Sequence, residues 1–452
     1  MEIFSRPLPR LVAALVLAWA ALPSPAALAQ VDAQTLIGKA VSDDSATKEI
    51  NNAITRFTQR DIDGCRAVLE RARSNNPKLP PPGVMMAMLW LSANQAQQAR
   101  AELEDTVVKF PADPEPYLML GDFAFQERRV TDAGVLFDKA SELAATYADN
   151  AKRKRDFDIR CSAGRAAVAE ARRQWETAQK NLTKWLELDP DNASAHQRLG
   201  IVLFQLGKEP DAQAAFREAK KLDDKAVQPE LAMARLYDDA KNKKDARKLI
   251  ETAVKAAPTD PAVLLAASQW YLGQNDLEAA KASADAALKI DPSSLDGRVV
   301  RGAIARMGRD YKTAKQFFND AHVQSPLNFA ASNSLALVLV ESDDASDKQR
   351  ALEMAQANAA MSQNGPQQVP ALTTLAWVFY KMNRKEDAAN ILDQISRNNA
   401  LSTDGAYYVA KILADRGERD RARQILEQVL ANEPMFATRP DATDLLDKLK
   451  TN

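Results

Sequence analysis

Small and large apolar residues recur along this chain at a spacing of 34 positions. Each unit of the pattern has a small residue at its eighth position and another at its twentieth, and most units have a larger apolar residue at the twenty-fourth. Two small residues twelve positions apart suit a pair of antiparallel helices, because a side chain larger than a methyl group would hold the backbones apart where they cross. The pattern therefore predicts a chain of helical hairpins.

The units, called repeats 1 to 11 below, are defined by where they start. The starting residues are Ala46, Pro80, Pro114, Ile159, Ala193, Val227, Pro261, Leu295, Phe329, Val369 and Thr403. The twentieth position is Cys65 in repeat 1 and alanine in the other repeats, although in repeat 9 the alanine, Ala351, is displaced by three residues within the insertion; the frame is chosen partly on that position. The eighth position is an independent test, and it is small throughout: Ala53, Ala87, Gly121, Ala166, Gly200, Ala234, Ser268, Gly302, Ala336, Ala376 and Ala410.

Turn and stop signals divide each repeat into two helices. Dipeptides such as Gly207-Lys208 and Asn275-Asp276 stand between the two helical segments and are typical of turns. Proline at position 32 ends the second helix in seven repeats, at Pro77, Pro111, Pro190, Pro258, Pro292, Pro326 and Pro434. The larger apolar residues at position 24, which we expect to fill the space between helices, are Leu69, Leu103, Phe137, Leu182, Phe216, Ile250, Phe318, Leu392 and Leu426.

Repeat 5 shows most clearly which known family the chain resembles. It carries Leu199, Gly200, Gly207, Ala212, Phe216 and Ala219 at positions 7, 8, 15, 20, 24 and 27. This arrangement resembles the tetratricopeptide repeat, a 34-residue helix-turn-helix unit. The resemblance implies an all-α fold, a right-handed superhelical solenoid of about eleven repeats whose first helices line an inner groove. Proteins similar to this family mostly bind other polypeptides.

The repeat frame also predicts the organisation of the chain. The solenoid is expected over 46–436. Insertions near 146–158 and 343–368 interrupt the 34-residue spacing, which resumes after each of them. Residues 30–45 form a leader or N-terminal capping segment. Residues 437–452 are expected to form a capping helix, since a solenoid needs its last apolar face covered.

Residues 1–29 have the pattern of a secretory signal peptide. Arg6 and Arg10 precede an apolar run from Leu11 to Leu22, and Ala27 and Ala29 fit a cleavage site before Gln30. The run is too short to span a bilayer, which takes about 20 apolar residues. We expect a periplasmic or secreted bacterial protein without a transmembrane segment in the mature chain.

The two cysteines should not form a disulfide in spite of the predicted export. Cys65 is the twentieth residue of repeat 1, and Cys161 is the third residue of repeat 4. Stacked helix pairs separate them by much more than the roughly 7 Å that bridged α-carbons allow.

Charge and motif content argue against a nucleic-acid binder and against an enzyme. The chain has 60 Lys and Arg against 61 Asp and Glu, without the basic excess of a nucleic-acid-binding protein. Its two histidines, His196 and His322, lie in different repeats, and neither has a second ligand at metal-binding spacing. Phosphate-binding loops, paired catalytic carboxylates and nucleophile elbows are absent from the sequence, so we predict neither cofactor nor catalytic residues.

Inward-facing residues are the candidates for partner binding. In the resembled family, positions 5, 9 and 12 of the first helix face the groove. In repeats 1 to 3 eight of these nine residues are apolar, namely Ile50, Ile54, Phe57, Val84, Met88, Leu91, Leu118 and Phe125, and the ninth is Asp122. The middle repeats place polar residues there, including Glu170, Gln197, Arg235, Asp238 and Gln269. Repeats 10 and 11 add Trp377, Tyr380, Tyr407 and Lys411, a combination frequent at interfaces.

Two hypotheses remain open for the apolar groove of repeats 1 to 3. It binds an apolar or amphipathic segment of a partner, or the leader 31–41 docks there itself through Leu36, Ile37 and Val41, which have helical spacing. The Lys and Asn pair with which co-chaperones similar to this family bind a C-terminal carboxylate is missing, since Asn333 at position 5 is followed by Leu337 at position 9.

The two insertions carry the strongest charge runs. Lys152, Arg153, Lys154 and Arg155 either contact an anionic lipid, polysaccharide or acidic partner, or form a solvated helix face balanced by neighbouring aspartates. Residues 341–350 have the composition of an acidic loop.

The sequence as a whole predicts a non-enzymatic scaffold that binds partner polypeptides along its groove, in envelope biogenesis, secretion or exopolysaccharide export. The alternative is a recruiting or regulatory subunit of an exported enzyme complex. A hidden enzyme is disfavoured, because no repeat departs from the pattern enough to house a site.

Overall fold

The computed structural model describes residues 32–37, 44–395, 401–432 and 435–451, and within these ranges every regular element is an α-helix. The all-α repeat fold that the sequence predicts is therefore confirmed. The predicted signal peptide 1–29 and Val41 of the leader lie outside the described residues.

The chain divides into two compact units, residues 7–246 and residues 247–452, and the helices are given unit by unit. The described helices that lie wholly in the first unit are α1 Ala33–Ile37, α2 Asp44–Thr58, α3 Ile62–Asn75, α4 Pro82–Ser92, α5 Ala96–Lys109, α6 Pro114–Gln126, α7 Val130–Thr146, α8 Ala151–Ala171, α9 Trp175–Leu188, α10 Ala193–Gln205, α11 Glu209–Leu222 and α12 Pro229–Asp239. Helix α13, Lys243–Ala256, contains the boundary.

The described helices of the second unit are α14 Pro261–Gly273, α15 Leu277–Ile290, α16 Leu295–Met307, α17 Tyr311–Gln324, α18 Phe329–Leu339, α19 Ala345–Met361, α20 Gln368–Lys381, α21 Lys385–Gln394, α22 Thr403–Asp415, α23 Arg419–Asn432 and α24 Arg439–Lys450. Within each unit, successive helices pair as hairpins, as α6 does with α7 and α17 with α16, and neighbouring hairpins pack on each other. Helix α24 packs on α23 and α22 and buries Ala442, Leu446 and Leu449.

The first helix of most repeats ends in the same way, with residue 15 in the left-handed conformation. These residues are Arg60, Asn94, Arg128, Arg173, Gly207, Lys241, Asn275, Arg309, Asn383 and Gly417. The next backbone N–H then reaches back into the last turn of the helix, as Lys208 N does to the carbonyl oxygen of Leu203 at 2.9 Å. A carboxylate often caps the second helix that follows, for example Asp276, which accepts a hydrogen bond from the Ala279 N–H. Residue 15 therefore reverses the chain direction in one tight turn.

Two packing arrangements fill the space between the helices of a repeat. Where position 8 is glycine, position 24 is phenylalanine, and a Cβ built on Gly121, Gly200 or Gly302 would lie 2.7–2.8 Å from the ring of Phe137, Phe216 or Phe318. The repeats with leucine or isoleucine at position 24 have alanine at position 8. The smaller residue thus makes room for the larger one within the same repeat.

We expect Gly302→Ala to destabilise the chain by about 1–3 kcal/mol, because the new methyl group overlaps the Phe318 ring. Adding Phe318→Leu should recover part of that loss, since it recreates the alanine and leucine combination of other repeats. Urea unfolding of the two single variants and the double variant measures the coupling. Purely additive free energies of unfolding would contradict the packing rule.

Both cysteines are unpaired and buried. The Cys65 Sγ lies 3.6 Å from the Met86 Sδ. Burial raises the pKa of the Cys65 thiol to about 11 and that of the Cys161 thiol to about 12. Because the thiolate is the reactive form, neither group is activated in the folded chain.

Alkylation should reveal this protection. Iodoacetamide at pH 8 is expected to leave Cys65 and Cys161 unmodified in the native chain and to label both in urea, with mass spectrometry as the readout. Native labelling of either residue, or recovery of a peptide that links the two, would show that their burial is wrong.

Candidate functional site

The inward positions of repeats 1 to 3 separate into buried and accessible residues. Four of the eight predicted apolar contacts are buried by neighbouring helices and present almost no surface: Ile50, Phe57, Val84 and Leu118. The other four remain half-buried: Ile54, Met88, Leu91 and Phe125. We call these four the N-terminal apolar row. They lie on the first helices α2, α4 and α6, which is why successive repeats continue the same surface.

The leader packs directly beside this surface. Helix α1 lies against α2 and α4, the first helices of repeats 1 and 2. Its Ala33, Leu36 and Ile37 are at most 2% exposed and belong to the same apolar cluster as Ile50 and Leu89. Of the two hypotheses for this groove, the geometry favours docking of the leader for the part next to α1.

Burial of the leader's side chains and ordering of its backbone oppose each other. Burying the Leu36 and Ile37 side chains contributes about 1.5–3 kcal/mol each. Fixing the backbone of the five residues of α1 costs about 1–2 kcal/mol per residue. The two sums are of similar size, so α1 can leave the surface without a large change in the stability of the repeats.

The basic run 152–155 is not one uniform surface, because Lys152 and Arg155 are exposed whereas Arg153 is buried. For Arg153 both expectations, a solvated face and a free cationic surface, are wrong. Its side chain is 6% exposed, and its Nη2 donates to Glu115 at 2.7 Å and lies 3.3 Å from an Asp113 oxygen. Burial raises the pKa of Asp113, and Arg153 offsets part of that effect. The insertion lengthens α7 and α8 to 17 and 21 residues, and this carries Arg153 into the contact with repeat 3.

The neighbours of Arg153 are also engaged. The Lys154 ammonium lies 3.0 Å from an Asp158 oxygen and donates to the Ala144 carbonyl oxygen. Arg155 donates to the carbonyl oxygen of Leu188 at 2.5 Å, at the end of α9. These contacts fasten α8 to the helices beside it.

The second charged insertion is mostly helical rather than a loop. The predicted acidic loop 341–350 becomes helical at Ala345, because Asp344 caps α19 by accepting a hydrogen bond from Ser346 N at 2.8 Å. Asp347 then pairs with Lys315 at 2.7 Å, and this ion pair lowers the pKa of its carboxyl group.

The polar inward positions of repeats 4 and 5 contain a buried ion pair. Glu170 of repeat 4 and Arg198 of repeat 5 are each 8% exposed, and the Arg198 Nη2 lies 2.9 Å from Glu170 Oε1. Arg198 also donates to the carbonyl oxygen of Ala163 and stacks over the Trp185 ring. Burial raises the pKa of Glu170, although Arg198 opposes the shift. Gln197, Arg235, Asp238 and Gln269 are half-buried.

Aromatic rings fill the inner face of repeats 10 and 11. The Trp377 ring stacks on Tyr380 at 5.3 Å and on Tyr408 at 4.4 Å, and Tyr407 completes the cluster at 5.8 Å from Trp377. Trp377 and Tyr408 are buried, whereas Tyr380 and Tyr407 remain half-buried. We call these four residues the aromatic cluster.

Charged residues surround the aromatic cluster in pairs. Lys411 lies 2.8 Å from an Asp415 oxygen, and the Tyr380 hydroxyl donates to the same carboxylate at 2.5 Å. Lys381 pairs with Glu341 at 2.9 Å. Burial raises the pKa of Tyr380, with its Asp415 contact acting in the same direction. The predicted contacts Tyr380, Tyr407 and Lys411 are therefore partly accessible, and Trp377 is covered.

Sequence reasoning missed a contact that joins repeat 8 to repeat 11. Arg306, near the end of α16, donates to the Tyr408 hydroxyl at 2.8 Å and to Asp404 at 2.9 Å. Three residues further, Arg309 pairs with Asp441 of α24 at 2.8 Å. We call these contacts the clasp. Burial by itself would lower the pKa of Arg306, but Asp404 and Tyr408 outweigh it and raise the pKa.

The clasp also holds the terminal helix. Asp404 uses its other oxygen to accept hydrogen bonds from the backbone N–H and the hydroxyl of Thr438, which precedes α24. Arg306 occupies position 12 of repeat 8, an inward position, and this was the one signal that could have identified it. The inner face of repeats 8 to 11 is thus bridged by the chain's own side chains.

Among the described residues, no group of three or more His, Cys, Asp or Glu side chains is placed to hold a metal ion. Over the same residues, the search for a helix of sufficient length and apolar character to cross a bilayer finds none.

Comparison with solved structures returns other helical repeat proteins. The yeast Tom70 structure covers 91% of this chain and 96% of its own, with 13% identity and a TM-score of 0.39. The Cut9–Hcn1 hetero-tetramer structure of the APC/C covers 90% and 96%, with 12% identity and a TM-score of 0.40. A tetratricopeptide repeat protein from Parabacteroides merdae covers 65% and 99%, with 15% identity and a TM-score of 0.36. No curated protein matches the sequence significantly.

The family assignment comes from the sequence profile of the tetratricopeptide repeat, which matches residues 84–148, 164–227, 231–295 and 373–437, more than half of the chain. Repeats of this family form scaffolds for protein–protein interaction. The chain belongs to the tetratricopeptide repeat family.

Proposed function

We propose that this protein is an exported, non-enzymatic scaffold that binds a partner polypeptide on the inner face of repeats 1 to 3. The partner contributes an amphipathic segment with aliphatic side chains, and the N-terminal apolar row receives it. Envelope biogenesis, secretion and exopolysaccharide export are the processes in which such a scaffold would serve.

The observation that carries the proposal is the N-terminal apolar row itself. Its four residues keep accessible surface at groove-facing positions of three successive first helices: Ile54, Met88, Leu91 and Phe125. Partly accessible apolar residues that continue from repeat to repeat mark an interaction surface more often than scattered ones do. Burying them against a partner would remove this surface from water.

The chain itself indicates which kind of segment fits. Helix α1 already covers the adjoining part of the same face with one apolar side, formed by Ala33, Leu36 and Ile37, while Asp32 and Gln34 remain exposed. A segment with this pattern binds in a groove of helices through residues spaced three and four apart. We therefore expect the partner to offer a short amphipathic helix.

Site-specific crosslinking in cells tests the proposal. A photoreactive phenylalanine analogue at Leu91 is expected to capture a partner protein upon irradiation. The matched control carries it at Val108, which is 79% exposed on a second helix, away from the inner positions. Equal capture at both positions, or capture at Val108 alone, would reject the inner face of repeats 1 to 3 as the binding surface.

The same capture distinguishes the alternative function. If one enzyme is recovered in stoichiometric amount, the protein is the recruiting subunit of an exported enzyme complex. Recovery of structural components of the envelope supports the scaffold.

Export is tested separately. The chain expressed in a Gram-negative host should reach the periplasm with Gln30 as its first residue, as measured by mass spectrometry of the intact protein. Replacing both Ala27 and Ala29 by leucine should block cleavage, because the protease accepts only small residues there. An unprocessed wild-type chain that stays in the cytoplasm would overturn this part of the proposal.

A further inference from the structure

We propose that the leader helix α1 is an intramolecular ligand of the face formed by α2 and α4, and that it competes with the partner for this face. This inference rests on the proposed function. It assigns to residues 33–37 a regulatory role, in which the leader must move before an amphipathic segment gains the full surface.

The side chains of α1 match those expected of a partner. Ala33, Leu36 and Ile37 follow the spacing of one helical face, and all three are buried against first helices. Exposed Asp32 and Gln34 lie next to them in the sequence. Because α1 contacts α2 and also α4, it lies across the face that repeats 1 and 2 share.

The leader and the N-terminal apolar row meet on α2 and α4. Ile54 and Met88 pack against the apolar cluster that contains Ala33, Leu36 and Ile37. Packed helices keep their axes about 8–10 Å apart. A partner helix that covers Ile54 and Met88 therefore meets α1, and one of the two must give way.

Covalent attachment favours the leader in this competition. A tethered segment acts at an effective concentration on the order of millimolar, without any additional contact. A partner segment that is free in solution must overcome that advantage before it binds. Releasing the leader should therefore increase the apparent affinity for any segment that uses the same face.

A peptide supplied in trans tests the competition. The probe is a fluorescein-labelled peptide of residues 30–43, and the protein is the chain without residues 1–29. A leader variant carries Leu36→Ser and Ile37→Ser, so that the chain keeps its full length. Fluorescence anisotropy should show that the peptide binds the leader variant with a Kd at least tenfold lower than that for the parent chain.

Two controls locate the binding. Adding Met88→Asp to the leader variant should abolish peptide binding, and a peptide with the same two serines should not bind at all. Equal affinity for the parent chain and the leader variant would overturn the inference, as would absence of binding to a leader variant that keeps its helical circular dichroism.

If the leader variant fails to fold, hydrogen exchange in the parent chain tests whether the peptide displaces the leader. In the parent chain, an excess of unlabelled peptide should accelerate exchange of the amides of residues 33–37 and leave those of α2 and α4 protected. Unchanged exchange in residues 33–37 at saturating peptide would exclude displacement.

Failure of the two proposals can be told apart. If Leu91 captures no partner but the peptide displaces the leader, the proposed function is wrong and the docking of the leader stands. If Leu91 captures a partner equally in the parent chain and in the leader variant, the scaffold stands and the competition is rejected.

Discussion

Replacing Arg198 by methionine is expected to destabilise the chain by about 3–5 kcal/mol, because it leaves the Glu170 carboxylate buried without its counter-charge. The guanidinium also donates to the Ala163 carbonyl oxygen and covers the Trp185 ring, so the substitution removes these contacts as well. Urea unfolding followed by circular dichroism measures the change. Replacing both residues, with Glu170→Leu and Arg198→Met, should cost less than the single change, since no unpaired charge remains.

The loss should depend on pH in a defined direction. Without Arg198, nothing opposes the burial that already raises the pKa of Glu170. A carboxyl group whose pKa is higher in the folded state than in the unfolded state folds preferentially with its proton bound. Its stabilising contribution is complete below the unfolded pKa and is lost as the pH rises through the folded pKa. The Arg198→Met variant should therefore be closer to wild type at pH 5 than at pH 8.

An exposed ion pair provides the control for this experiment. Lys109 and Asp105 are 60% and 51% exposed, and Lys109→Met should change the free energy of unfolding by no more than about 1 kcal/mol. Equal effects of Lys109→Met and Arg198→Met would mean that the Glu170 carboxylate is solvated.

Replacing Arg306 by methionine should loosen two regions that lie about one hundred residues apart in the sequence. The substitution removes the two contacts that Arg306 makes in the clasp, those to Asp404 and Tyr408, and leaves the buried Tyr408 hydroxyl without a donor. Each lost hydrogen bond with a charged partner corresponds to about 1.5–3 kcal/mol. We expect a total loss of about 3 kcal/mol, since Asp404 keeps its contacts with Thr438.

Hydrogen exchange measured by mass spectrometry identifies the regions affected. The Arg306→Met variant should exchange faster in α16 and also in α22 and α24, because the clasp holds all three. The matched control is Arg309→Met, whose ion pair with Asp441 is 52% and 38% exposed and should contribute no more than about 1 kcal/mol. Faster exchange confined to α16 would show that the clasp does not couple the repeats.

The sequence allowed the helices to be predicted because the information for each hairpin lies within 34 residues. A small residue at position 8, another at position 20 and a turn between them define where two helices cross, and no distant part of the chain is needed. The helix starts follow that pattern except at repeat 4, where α8 begins at Ala151 instead of Ile159 because the insertion is itself helical.

The candidate surface was less predictable, because burial depends on neighbouring repeats. Inward positions could be assigned from the repeat frame, yet at position 12 Phe57 is covered whereas Leu91 and Phe125 are not. Position alone does not reveal that difference, since it depends on how each hairpin packs on the next.

Long-range contacts were the least accessible to sequence reasoning. The clasp brings Arg306 to Asp404 through the accumulated rotation of three repeats, and a small change in each repeat would separate them. Arg153 shows the opposite problem, because four consecutive basic residues suggest a solvated face whatever the helix packs against. Only the lengthened helix α8 explains why one of the four is buried.

The matching of positions 8 and 24 limits how such a gene can be rearranged. Exchanging whole repeats moves Gly302 together with Phe318, or Ala410 together with Leu426, and preserves the fit between the two helices of a hairpin. A crossover in the turn between the helices would combine alanine with phenylalanine, which overlap, or glycine with leucine, which leave a void. Duplication and recombination in this chain should therefore have their breakpoints between hairpins.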